Sequence, residues 1–130
     1  MIAPRTERPI AYRVGGAEPI LRHVPAEELV REAYHEAARL ARLDGLVALI
    51  VPDELVEPAV AHENAFEGIP LLTPRQAKGL EFDHVIVVEP ALIADHEQGL
   101  RELYVALTRP TKTLVVVYSR PLPAALRVDL

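Results

Sequence analysis

The 130-residue sequence contains no cysteine and no tryptophan. Without cysteine there is no disulfide framework, no thiolate metal site and no cysteine nucleophile. Lysine is almost absent: Lys78 and Lys112 are the only two among 14 basic residues. Positive charge is in deficit, since 19 acidic groups leave a formal net charge of −5. That balance argues against a protein that coats nucleic acid through bulk charge alone. No apolar run approaches the roughly 18 residues of a membrane span. The first 13 residues mix Pro, Arg and Glu and lack an apolar signal core. The expectation is a soluble, cytoplasmic protein with no membrane association.

Half of the residues are apolar, enough for a real core, and the length suits one domain. Residues 1–18 hold Pro4, Pro9, Gly15 and Gly16 without a clear period and read as an extended lead-in to a domain over 19–130. Residues 19–24 form a short apolar segment read as a strand. After Pro25, the positions Ala26, Leu29, Val30, Ala33, Ala37, Leu40 and Ala41 follow the three-and-four spacing of one helix face. Glu27 and Glu28 suit the start of that helix, Arg39 and Arg42 its end, and Asp44-Gly45 stops it.

Four further apolar runs follow, at 46–51, 69–73, 84–88 and 113–119. Each is short, rich in Val, Ile or Leu, and bounded by proline or polar residues. Between them, residues 53–66 read as a short helix and loop, 91–95 as a helical turn and 100–108 as a helix ended by Pro110. Strands that are apolar throughout and alternate with helices predict an open parallel α/β sheet covered on both faces. In such sheets function concentrates in loops beyond the carboxyl ends of strands, which draws attention to residues 73–82 after the third strand and 89–99 after the fourth.

Two segments set polar groups among apolar ones in a way that ordinary loops do not. They are Thr73-Pro74-Arg75-Gln76-Ala77-Lys78-Gly79-Leu80-Glu81-Phe82-Asp83 and Leu103-Tyr104-Val105-Ala106-Leu107-Thr108-Arg109-Pro110. The Gln-Ala-Lys-Gly-Leu-Glu-Phe-Asp run resembles motif V of the UvrD/Rep-like superfamily 1 helicases, and Leu-Tyr-Val-Ala-Leu-Thr-Arg resembles their motif VI. Order and separation by an apolar strand also match. The Asp after the motif V Phe, and the apolar strand followed by Glu-Pro, are most similar to the HelD branch, ATP-driven factors that act on bacterial RNA polymerase.

The resemblance implies a RecA-like lobe, the second of two between which ATP binds. No Gly-x-x-x-x-Gly-Lys-Ser/Thr loop is present, nor the paired acids of a first lobe. The family's motif IV is missing too, since Tyr12-Arg13 does not reproduce it. The implied partners are the first RecA-like lobe and DNA, with RNA polymerase added in the HelD-like case. ATP is the implied cofactor, its Mg²⁺ held by the first lobe.

Residue by residue, the resemblance makes Arg109 the finger that reaches the γ-phosphate, a role suited to an always-charged planar guanidinium. Glu81 becomes the acceptor for the ribose hydroxyls. Gly79 matches the motif's glycine, expected where a side chain would crowd the turn. Thr73 aligns with a threonine near the nucleic-acid backbone, with Arg75 and Gln76 beside it. Lys78, Tyr104 and Thr108 take supporting places. Pro110 stands where alanine is commoner; it pushes Arg109 out of helical geometry, so that the arginine projects from a helix end.

Taken singly, each residue also has a plainer reading. Glu81 and Arg109 could be solvated surface charges. Lys78 could pair with Glu81 or Asp83. Tyr104 reads as a core aromatic with a bonded hydroxyl. His23, His35, His62, His84 and His96 show no metal-ligand spacing and read as surface or satisfied residues. An ATP-dependent helicase lobe, inactive as an isolated chain, stands against a non-enzymatic RecA-like module docking on RNA polymerase or another ATPase subunit.

Overall fold

A computed structural model describes residues 18–62 and 68–126. The lead-in expected over residues 1–18 lies, apart from Glu18, outside the described residues, as do residues 63–67 of the loop after the second helix. Five strands, β1 (Ile20–His23), β2 (Val47–Ile50), β3 (Leu71–Leu72), β4 (Phe82–Val88) and β5 (Pro110–Tyr118), form one sheet in the order β1-β5-β4-β2-β3. Every pairing is parallel. The helices are α1 (Leu29–Ala41), α2 (Val56–Ala61), α3 (Pro74–Ala77), α4 (Pro90–Ala94) and α5 (Gly99–Leu107). The expected open parallel α/β sheet is therefore what the chain forms.

Parallel strands need a crossover between each pair, and those crossovers cover both faces. Side chains alternate across each strand. Ile86, Val88, Val115 and Val117 meet Leu29, Ala33, Ala37 and Leu40 of α1 on one face. Val85, Val87, Leu114 and Val116 meet Ile93, Leu103, Ala106 and Leu107 of α4 and α5 on the other. Every residue of β2 is buried, as its unbroken apolar run predicts. Leu126, in a 3₁₀ turn at 124–126, closes the second face.

Several boundaries differ from the sequence expectation. β3 keeps only two residues of the apolar run at 69–73, because it is an edge strand flanked by Pro70 and Pro74, which have no N–H to give a ladder. Gly68, which leads into it, has a positive φ of 93°. β5 starts three residues earlier than its apolar run. Pro110 is its first residue, a position where a missing N–H costs no ladder bond.

Polar groups inside this frame are satisfied by specific partners. Glu36 on α1, 3% exposed, accepts from Arg39 Nη2 at 2.6 Å and Arg22 Nε at 3.2 Å, tying the helix to β1. Burial pushes the Glu36 carboxyl up, but the bonds and charges of Arg39 and Arg22 outweigh it and hold the group below its ordinary value. Glu89, 1% exposed and left-handed (φ 49°), follows β4. Its carboxylate accepts from the backbone N–H groups of Ser119 (3.1 Å) and Arg120 (3.2 Å) and from the Ser119 hydroxyl, locking the carboxyl ends of β4 and β5 together. His84 is buried with Nε2 on the Asp44 carbonyl at 3.0 Å, while its Nδ1 has no partner among the described residues. The expectation that every histidine is at the surface or satisfied fails at that atom.

The Glu36 cluster gives a signed pH dependence. An unfolded glutamate titrates near about pH 4.3, and the folded carboxyl titrates lower. Its stabilisation is present above the unfolded value and disappears as pH falls through the folded one. Glu36→Ala is expected to lower the unfolding free energy by about 2 kcal/mol at pH 7, with the two proteins converging in strong acid. Urea unfolding across pH measures this; a gap that is the same at every pH contradicts it.

Candidate functional site

The residues singled out by the two motifs fall at opposite edges of the sheet. Leu72, just before Thr73, is level with Ile50, and Ile50 with Val87, near the carboxyl end of β4. From Thr73 the chain makes one turn of helix and then descends to Phe82, where β4 begins. Five residues of strand separate these levels, roughly 16 Å. Thr73, Arg75 and Gln76 therefore sit at the carboxyl edge. Gly79, Glu81 and Arg109 sit at the amino edge. The expectation that residues 73–82 lie beyond the carboxyl ends holds for Thr73, Arg75 and Gln76 and is corrected for Gly79 and Glu81, which reach the other end of the strands beside Arg109.

At the carboxyl edge, Thr73 and Gln76 serve each other. Thr73 Oγ1 accepts from the Gln76 N–H at 3.3 Å, and Gln76 Oε1 accepts from the Thr73 N–H at 2.9 Å. This reciprocal cap, with Pro74 at the first helical position, is what lets a four-residue helix form. Arg75 is exposed and pairs with Glu102 of α5 at 3.2 Å. Glu102 also faces His96 Nδ1 at 3.6 Å, and His96 Nε2 meets both carboxylate oxygens of Glu54 at 2.9 and 3.0 Å. The Glu54 hydrogen bond holds the His96 imidazolium above its usual pKa against the opposing effect of burial. Arg75, His96, Glu54 and Glu102 line an open cleft of about 470 Å³ with Asp53 and Glu97. Arg75 and His96 lie on the two loops that the sequence points to, but their pairing with Glu102 and Glu54 has no sequence pattern, since the members come from three separate connections.

The amino edge is built by a turn and a helix end. Leu80 N–H donates to the Ala77 carbonyl at 3.0 Å. Lys78 (φ −58°, ψ 129°) and Gly79 (φ 83°) occupy the middle of that turn, giving type II geometry. Nothing lies within 4 Å of where a Gly79 side chain would begin. The glycine is thus required by its left-handed backbone and not by crowding, a correction to the sequence expectation. Glu81 follows, exposed at the rim. Lys78 is exposed and pairs with neither candidate acid: Asp83 instead accepts from the Leu46 N–H at 2.7 Å and faces Lys112 at 3.7 Å.

Arg109 arrives at the same place from α5. It is the second residue past the helix and immediately precedes β5, as Pro110 predicts. Its guanidinium does not project outward; it folds back. Nε donates to the Val105 carbonyl at 2.9 Å, Nη2 to Thr108 Oγ1 at 3.0 Å and Nη1 to the Leu80 carbonyl at 3.1 Å. The Phe82 N–H donates in turn to the Arg109 carbonyl at 3.1 Å. These two bonds clasp the motif V turn to the motif VI helix end. Three of the five guanidinium N–H donors are used, leaving one on each terminal nitrogen among the described residues. Tyr104, expected in the core, is 53% exposed. It lies on the outer face of α5, where the inward positions are Leu103, Ala106 and Leu107.

No cluster of three or more metal-ligating side chains occurs among the described residues, and no helix among them is long and apolar enough to cross a membrane. Residues 69–117, from the entry to β3 through most of β5, match the family model of the UvrD-like helicase C-terminal domain. In fold the chain is similar to the crystal structure of the C-terminal domain of a possible DNA helicase from Lactobacillus plantarum WCFS1. The TM-score is 0.69 at 22% identity, over 98% of this chain and 92% of that one. No curated protein matches the chain. The fold is thus similar to that of this solved domain, and the stretch matched by the family model includes every motif residue placed above.

The backbone requirement at Gly79 is testable in this chain. Gly79→Ala is expected to cost about 1–2 kcal/mol through its left-handed φ alone. Gly79→Asn is expected to cost less, because asparagine tolerates that region. Thermal unfolding of the two variants decides it; equal losses would show that the side chain, not the backbone, is the problem.

Proposed function

We propose that the chain is the second RecA-like lobe of an ATP-dependent superfamily 1 DNA helicase or translocase, UvrD-like and nearest the HelD branch. The observation that carries the reading is the clasp at the amino edge. It sets Arg109 beside the Leu80–Glu81 turn although 29 residues separate Arg109 from Leu80. Two groups of opposite chemistry are thereby presented from one rim: a permanent cation with unused N–H donors, and an exposed carboxylate that only accepts.

Those groups fit a nucleotide. The free guanidinium donors suit phosphate oxygens, and the Glu81 carboxylate suits the ribose hydroxyls. ATP, with Mg²⁺ and the phosphate loop contributed by a first lobe, supplies the phosphoanhydride whose hydrolysis drives movement. Arg109 brings positive charge to the terminal phosphate without any proton change, and Glu81 orients the sugar. The clasp makes these two contacts arrive together, so closure of the lobes is sensed by one rigid rim.

The opposite edge is the candidate track for DNA, with Thr73, Arg75 and Gln76 beside the cleft. Arg75 reaches a phosphate by exchanging Glu102, an exposed pair worth about 0–1 kcal/mol. Lys78 adds charge between the two edges. The HelD assignment rests on Asp83 after Phe82 and on Glu89-Pro90 closing β4; in that case RNA polymerase is the surface worked against, in the cytoplasm.

Phosphate release from ATP tests the reading. The 130-residue chain alone is expected to show no turnover. In a polypeptide that joins it to its first lobe, Arg109→Ala is expected to lower kcat at least about tenfold, given the roughly 10³–10⁵ range of arginine fingers. An unchanged kcat, or turnover by the isolated chain that Arg109→Ala abolishes, overturns it.

A further inference from the structure

We propose that Thr108 is the positioning residue for Arg109, setting the plane of its guanidinium before any nucleotide arrives. The catalytic meaning of this inference rests on the helicase reading; the positioning itself does not. A threonine hydroxyl has one hydrogen to give and two lone pairs. Thr108 Oγ1 lies 2.9 Å from the Tyr104 carbonyl and 3.1 Å from the Val105 carbonyl. Its hydrogen is therefore committed to the end of α5. The lone pairs are left for the Arg109 Nη2 donor at 3.0 Å.

The guanidinium then rests on three acceptors: the Val105 carbonyl, the Leu80 carbonyl and Thr108 Oγ1. Three bonds from one rigid fork leave no rotation about its long axis. Two of the acceptors are backbone, so Thr108 is the one side chain among the described residues that sets the orientation. The carbonyl end of a helix carries partial negative charge, which favours the cation there. This arrangement leaves two N–H donors without partners among the described residues, one on each terminal nitrogen. A valine in place of Thr108 would keep the shape and remove the acceptor.

A plainer role is also imaginable, in which Thr108 merely closes the last turn of α5, and the test separates the two. Nitrogen-15 spectra of the arginine side chains can be recorded on the 130-residue chain itself. The Arg109 terminal N–H protons are expected to exchange roughly tenfold more slowly than those of exposed Arg101, as one retained hydrogen bond implies. In Thr108→Val the Nη2 signals are expected to lose that protection while the Nε–H, on Val105, keeps it. Thr108→Ser is expected to restore the wild-type pattern. A Thr108→Val spectrum that is folded and unchanged at Arg109 overturns the proposal.

Turnover in the two-lobed polypeptide supplies the second arm. Thr108→Val is expected to lower kcat about tenfold with KM for ATP within about twofold, serine restoring it. In an Arg109→Ala background the same change is expected to do nothing further. An equal loss in both backgrounds shows that Thr108 acts independently of Arg109 and overturns the proposal. Altered spectra with an Arg109→Ala protein of full activity would instead leave the positioning standing and remove the finger role.

Discussion

Parallel pairing of β4 with β5 is the constraint from which the rest of the arrangement follows. Two parallel neighbours cannot be joined by a tight turn, so the chain must return from the carboxyl end of β4 to the amino end of β5. Residues 90–109 make that return through α4 and α5. The helix that packs the core with Leu103, Ala106 and Leu107 is therefore also the arm that delivers Arg109 beside Phe82. Core packing and site assembly are one event. A chain that folded with β4 and β5 antiparallel would bury the same valines and separate the two motifs.

Each edge of the sheet is then fastened by a carboxylate. At the amino edge Asp83 caps the Leu46 N–H as β2 begins and lies against Gly45, where a Cβ would come within 2.6 Å of its carboxyl group. At the carboxyl edge Glu89 gathers the N–H groups after β5. Glu89 is buried and needs such donors, whereas Asp83 is only partly buried. Both acids belong to the stretch that resembles the HelD branch, and both hold strand ends together. That stretch thus has a structural use whichever branch it marks. At the amino edge, Arg109 links the end of α5 to the turn at 77–80, so the site inherits the rigidity of the sheet.

Much of the fold could be read from the sequence because burial on both faces leaves an unmistakable pattern. Residues 47–50 and 85–88 have no polar position, and the face of α1 repeats at helical spacing. The residues of the two motifs are picked out by their resemblance to helicase motifs and not by periodicity. Periodicity, however, says which face of an element is buried and not which end of the sheet a loop reaches. That is why Gly79 and Glu81, in the loop after the third strand, were expected beyond the carboxyl ends. Tyr104 was misjudged for a related reason: an aromatic amid leucines suggests a core, but its helical angle from Leu103 and Leu107 points it outward. Arg75 and the 89–99 loop that carries His96 stand out in the sequence, but the Arg75–Glu102–His96–Glu54 chain does not, because ion pairs between separate connections have no sequence period.

The central claim is that the amino edge, through Arg109 and Glu81, is where this lobe meets nucleotide. A structure of the two-lobed protein with ADP and a planar phosphate mimic tests it most directly. The account predicts a terminal nitrogen of Arg109 within hydrogen-bond distance of the mimic and the Glu81 carboxylate on the ribose hydroxyls. A nucleotide held instead at the carboxyl edge by Arg75, with Arg109 touching nothing but Val105, Thr108 and Leu80, would contradict it.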